Sequence, residues 1–217
     1  MSAINLIQLP FSPFCISVRR MLDWAGAKYR TTNLTYADRR AVVAATRGAY
    51  YQVPVLVDGR KTIWDKTDLG QEVARYVDAK FKLGCFPPQL DGLQRLVAQH
   101  IENDVEGAAF RIGDTHLIPT MPLYERTMAI RHKERKFGKG CVENWRSHLK
   151  WWRQQLHDAL APYDQMLDYN RFLLGERPYF VDFDLHGVLG NYLFTGKTKL
   201  PADLKNLRRW HAAMTKL

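Results

Sequence analysis

Apolar positions fall in two rhythms along this chain. Residues 4–9 form a short apolar run fit for one buried strand, and beyond Pro10 the residues Val18, Met21, Leu22 and Ala25 recur at helical spacing. The chain therefore turns from strand to helix at Ser12-Pro13. Proline at the first helical position has its φ pre-set and lacks only an amide that would have no partner there, so Ser12 falls at the N-cap with its hydroxyl facing the helix mouth. Unpaired amides and the positive end of the helix dipole gather at that mouth and favour a thiolate or carboxylate. After the punctuation of Gly26-Ala27, residues 29–34 alternate in a β-favouring composition, and the Ala-rich segment 38–46 predicts a short helix. Residues 52–64 read as two strands around an Asp58-Gly59 turn. Proline does not belong inside a central strand, so Pro54 is expected to open its strand at the sheet edge. A cis Val53–Pro54 bond would turn the Val53 amide and carbonyl outward, toward an extended ligand. Asp65 as N-cap and Asp68 at the third position then start a helix that carries Leu69, Val73, Ala74, Tyr76 and Val77.

This order predicts a four-stranded mixed sheet, with two helix N-termini and the Val53 backbone lining one edge. Pro87-Pro88 breaks the pattern, and no strand signal of similar strength follows. The expected division is an α/β unit over 1–82, a linker over 83–91 and an all-helical unit over 92–217. Within the last, helices are predicted over 92–110, 122–136 and 142–167, the third carrying Trp145, Leu149, Trp152, Leu156 and Leu160 in one stripe. Residues 175–183 form a turn into an apolar helix over 183–194, with Asp182 satisfying amides at a buried N-terminus. His186 on that helix is read as a hydrogen-bonded core residue, and a final helix spans 202–216.

Composition narrows the class. With 46% hydrophobic and 25% charged residues in 217, the chain has a soluble globular balance and enough length to bury a core without staples. Cys15, Cys85 and Cys141 are too few and too far apart for a disulfide framework or a metal cluster, so no metal is expected and a reducing cytoplasm fits. The first apolar run stops at Pro10, too soon for a signal peptide or a membrane span. The net charge of +10 is concentrated between Arg126 and Arg153. A solvated helix face accounts for it better than nucleic acid does.

The chemistry centres on Ser12-Pro13-Phe14-Cys15. This is a C-x-x-C redox motif whose first cysteine is replaced by serine. The first position of such a motif is exposed at the helix mouth and the second lies one turn inward, so dithiol exchange is disfavoured and Cys15 reads as an inert core thiol. A hydroxyl at the mouth can instead donate to a thiolate that belongs to another molecule.

Taken together, several motifs carry a resemblance: Ser12 to Cys15 with Val18-Arg19-Arg20, Gln52 to Val57 with its Asp-Gly hairpin, Asp65-Lys66-Thr67 opening a helix that ends in Arg75-Tyr76-Val77-Asp78, and Gly175 to Phe183. In this order the chain resembles the cytosolic glutathione transferase superfamily over essentially its whole length, in a serine-type, bacterial-like form. The resemblance implies a thioredoxin-like domain followed by an all-helical one, with glutathione as co-substrate. It implies Ser12 as the catalytic hydroxyl, and Val53 beside a cis Pro54 as the backbone that pairs with the cysteinyl part of glutathione. Gln52 would lie near its glycyl end, Asp65 would meet the γ-glutamyl ammonium, and Phe14, Lys66 and Thr67 would complete the site. Lys66 departs from the family, which has serine or threonine there to hold the γ-glutamyl carboxylate; Tyr179 departs too, where a serine or threonine usually precedes the helix of Asp182. A hydrophobic electrophile would lodge against helical-domain side chains such as Phe110 or Tyr124, and a two-fold homodimer is implied, serving detoxification. Two alternatives stand beside this reading: a glutathione-dependent thiol/disulfide oxidoreductase using Cys15, and a non-catalytic transferase-like binding module.

Overall fold

The computed structural model describes residues 4–67 and 70–217. Its N-terminal part is built on four strands: β1 (Ile4–Gln8), β2 (Tyr29–Asn33), β3 (Val55–Asp58) and β4 (Lys61–Trp64), in the order β2-β1-β3-β4. β1 runs parallel to β2, with Ile4 opposite Tyr29, and antiparallel to β3, with Leu6 opposite Leu56; β4 closes the sheet antiparallel to β3. The first crossover is α1 (Pro13–Trp24), the second includes α2 (Arg40–Thr46), and α3 (Glu72–Phe81) follows the hairpin. Alternation along the central strands sends Leu6 and Leu56 to a core shared with Val18, Met21, Leu22, Val73 and Val77, while Ile7 and Val55 face Val42 of α2. Both faces of β1 are thus covered, which is why it reads as a continuous apolar run. Gly59, with φ of 60°, holds the first position of a two-residue hairpin loop, the place where a II′ turn requires glycine.

The expected edge position of Pro54 is corrected. β3 is an inner strand, and Pro54 lies one residue ahead of its ladder, where a missing N–H costs no sheet hydrogen bond. The Val53–Pro54 bond is cis. α3 starts at Glu72 with Gln71 as N-cap, later than the predicted start at Asp65. The expected N3 aspartate, Asp68, and the helical Leu69 lie outside the described residues.

The second part is helical: α4 (Asp91–His100), α5 (Glu106–Leu117), α6 (Leu123–Phe137), α7 (Cys141–Ser147), α8 (Leu149–Met166), α9 (Phe180–Leu193) and α10 (Lys205–Thr215). α4 and α5 continue through a π-helical turn, Ile101–Val105, and the single helix predicted over 142–167 is two, broken at His148 (φ −111°, ψ 24°). α9 is the central helix, buried over most of its length. Its start is tied by Asp182, whose carboxylate accepts from the Leu173 amide at 2.9 Å, the Tyr179 amide at 3.0 Å and the Trp210 indole at 2.8 Å. His186 is buried as expected, 3.4 Å from the Thr215 hydroxyl. One apolar cluster runs from the sheet through α1 into α5, α8, α9 and α10, so the two parts share a core. Among the described residues, no helix is long and apolar enough to cross a membrane.

Candidate active site

The first turn of α1 is set from two sides. Ser12 donates its backbone amide to Leu9 and accepts from the Ile16 amide, and its backbone is extended (φ −65°, ψ 129°) with Pro13 next, as an N-cap requires. From the other side, the Asn191 side chain of α9 donates to the Phe11 carbonyl at 2.6 Å. Ser12 is buried and makes no capping hydrogen bond with its side chain, so its hydroxyl is not tied to the helix amides. That hydroxyl lies within reach of Cys15, which is fully buried; burial pushes its thiol up to about 12, against smaller lowering effects from Ser12 and Arg19. Cys15 is therefore protonated at any physiological pH, in keeping with its reading as a core thiol.

Two joined cavities open at this helix mouth. The first, of about 500 Å³, is lined by Phe14, Tyr50, Gln52, Val53, Asp65, Lys66, Thr67 and Gly70, with Glu102, Asn103, Glu106 and Lys136 from the helical part. Here the structure brings together most of the residues predicted for a glutathione site. Among the described residues, the main-chain N–H and C=O of Val53 make no hydrogen bond, so both groups are open at a residue that lines the cavity. Asp65 accepts from the Val73 amide at 3.0 Å, and burial, the largest effect on it, holds its carboxyl up to about 6. Its capping role is thus real, although it stands seven residues before α3. Lys66 and Thr67 are exposed at the rim.

The second cavity, of about 380 Å³, holds Ser12 itself and lies between Phe11, Tyr36 and Arg39 on one side and Phe110, Asp114 and the inner face of α6 on the other. Phe11 stacks on Tyr36 with ring centres 6.3 Å apart, and Lys133 Nζ sits 4.3 Å from the Phe110 ring centre while pairing with Asp114 at 2.7 Å. Phe14, Gln52, Val53, Glu106 and Lys136 line both cavities. Burial, only partly offset by Lys133 and Lys136, raises the Glu106 carboxyl to about 7.

One expectation changes here and one is extended. Tyr124, expected beside Phe110, is 68% exposed and lines a separate groove with Thr35 and Arg40. The basic segment is largely the solvated face expected, with Arg131, Arg135, Lys136, Lys139, Arg146 and Lys150 exposed, while Lys133, Arg135 and Lys136 also line the second cavity. Tyr36, Glu106, Asp114 and Asn191 carry no signal of this site in the sequence; the loop after β2, the packing of α9 on α1 and that of α5 on α9 bring them to the cavity that holds Ser12. For α6 a signal existed: Met128, His132, Arg135 and Lys136 are spaced to share one face.

Known proteins bear on this arrangement. Sequence-family models match the chain as Glutathione S-transferase, N-terminal domain, over residues 6–81 and as Glutathione S-transferase, C-terminal domain, over residues 98–213. No curated protein sequence matches it. Among solved structures, glutathione transferase GSTFuA3 from Phanerochaete chrysosporium superposes with a TM-score of 0.81 at 17% identity, covering 99% of this chain and 97% of that one. The glutathione S-transferase CsGST63524 of Ceriporiopsis subvermispora, in complex with glutathione, gives 0.80 at 19% identity over 99% and 94%. Glutaredoxin 2 from Salmonella typhimurium, also with glutathione, gives 0.75 at 16% over 100% and 96%. At such identities the likeness is one of fold. The second sequence match alone spans more than half of the chain, and the protein belongs to the glutathione S-transferase superfamily.

Proposed function

We propose that the protein is a glutathione transferase that binds glutathione along the Val53 backbone, holds its sulfur as thiolate beside Ser12, and directs it at an electrophile in the second cavity. The observation that carries this reading is the juxtaposition of an uncapped Ser12 hydroxyl, at a helix mouth, with the open main-chain groups of Val53 in one cavity system. In this reading Val53, next to Pro54, pairs with the cysteinyl unit, Phe14 and Gln52 flank the peptide, and Asp65 meets the γ-glutamyl ammonium. Exposed Lys66, with Thr67 beside it, meets the γ-glutamyl carboxylate as a point charge.

The energetics suffice without a general base. Lowering a thiol pKa from about 8.5 by about two units requires about 2.7 kcal/mol of preference for the anion. A hydrogen bond to a charged group supplies about 1.5–3 kcal/mol, and the helix mouth about 0.3–1 kcal/mol. The full burial of Cys15 weighs against a mixed-disulfide mechanism through that residue.

Ser12→Ala tests the assignment. Glutathione is expected to remain bound by calorimetry, the pKa of its bound thiol to rise back toward about 8.5, and turnover to fall about 10- to 100-fold. An unchanged thiol pKa with unchanged turnover makes Ser12 the wrong residue. We further propose a two-fold dimer, supported by Leu93 and Leu96 of α4, which are 47% and 66% exposed, and a place in a reducing cytoplasm, supported by three free cysteines; a detoxifying role follows from the transferase reading alone.

A further inference from the structure

The second cavity is basic, and its charge is only partly neutralised from within. α6 brings Lys133, Arg135 and Lys136 to it, and Arg39 faces them from the loop before α2. Two carboxyl groups line the same space. Asp114 is paired with Lys133, and Glu106, raised by burial to about 7, is about half protonated at neutral pH. Arg39 donates to the main-chain carbonyls of Thr35 and Asp38. Among the described residues, Arg135 and Lys136 make no ion pair. The imidazole of His132 senses the excess. After burial, it is Lys136, Lys133, Arg135 and Arg39 that hold its pKa below the usual value. Beside these cations stand flat apolar surfaces, the Phe11–Tyr36 stack and the Phe110 ring.

Like charges confined in one cleft repel, and the cleft attracts an anion from solvent. Resting on the transferase reading above, we propose that the second substrate is an aromatic electrophile bearing an anionic group, a carboxylate in the simplest case. Its ring lies against Phe11, Tyr36 and Phe110, and its charge is received by Arg135 and Lys136. With an aryl halide activated by an electron-withdrawing nitro group, the glutathione sulfur gives its electron pair to the ring carbon, the ring and nitro group carry the added charge, the halide leaves with the carbon–halogen pair, and the thiol proton passes to solvent. The carboxylate makes no bond in this step and serves to hold the ring.

Two S-aryl glutathione conjugates that differ only in a ring carboxylate measure this contact without requiring turnover. In calorimetry on the full chain, the carboxylated conjugate is expected to bind about fivefold to tenfold more tightly at low salt, with an advantage that shrinks as salt rises. Arg135→Gln/Lys136→Gln, at two exposed positions whose replacement leaves the core intact, is expected to abolish the advantage, whereas Lys150→Gln, outside the cavity, preserves it. The ratio of kcat/KM for matched carboxylated and neutral nitro-activated aryl chlorides follows the same order. Equal affinity for the two conjugates, or an advantage that survives the double substitution, overturns this proposal and leaves glutathione binding standing. If glutathione and both conjugates fail to bind, the transferase reading falls and this one with it.

Discussion

Ser12, Asp65 and Asp182 carry the same local signal, a small polar residue ahead of a helical run, yet they end in three different states. Asp182 is consumed by its surroundings, with its carboxylate accepting two amides and an indole in the core. Asp65 reaches across a longer connection to the Val73 amide, and Ser12 caps nothing. Asp182→Ala strands two buried donors and a half-buried one and is expected to cost about 3–5 kcal/mol in urea unfolding at neutral pH. Its sign with pH follows from burial, which holds the folded carboxyl up to about 6 against an ordinary 3.8. Between those values the folded chain binds more proton than the unfolded one, so this group's contribution is greatest near pH 4 and declines as pH rises to 6. The gap between wild type and Asp182→Ala is therefore expected to be wider at pH 4 than at pH 7. At this scale the sequence marks where helices begin, since capping is local chemistry. It does not say which polar side chain is left without a capping bond, because that depends on partners from elements far along the chain.

Between elements, the closest fit is that of α9 on α1. A β-carbon added to Gly187 would lie 2.3 Å from the Pro13 carbonyl oxygen and 3.1 Å from the Ser17 backbone nitrogen, and one at Gly190 would lie 3.0 Å from Ile16. Glycine there lets α9 seat directly against the turn that holds Ser12. Gly187→Ala gains about 1 kcal/mol of helix propensity but must displace main chain, and a net loss of about 1–3 kcal/mol in thermal or urea unfolding is expected, with weakened glutathione binding because Pro13 moves. The periodic segments were legible because amphipathic spacing survives any packing: β1, α1, the hairpin, α6 and α9 all stand where their patterns put them, to within a few residues. The break at His148 and the π turn at Ile101–Val105 were not, since each changes backbone geometry without interrupting the apolar stripe.

For the molecule as a whole, the division into a sheet unit and a helical unit was readable because β-favouring alternation stops before residue 70. The cavity between them was not, because its walls are drawn from residues as distant as Phe11 and Asn191. A basic run looks alike in sequence whether it faces bulk water alone or also borders a cleft, as Lys133, Arg135 and Lys136 do. The proposed dimer belongs to this scale. Sedimentation is expected to give a dimer at micromolar concentration for the wild type and a monomer for Leu96→Glu, whose exposed position leaves the subunit's own core intact. A monomeric wild type at that concentration would refute the dimer.

Glu106 and Lys136 form a party wall between the two compartments. Whatever occupies one side changes the field and the protonation felt on the other. The two proposed co-substrates are therefore expected not to saturate the protein independently: each shifts the other's affinity, and by thermodynamic reciprocity the two shifts are the same factor.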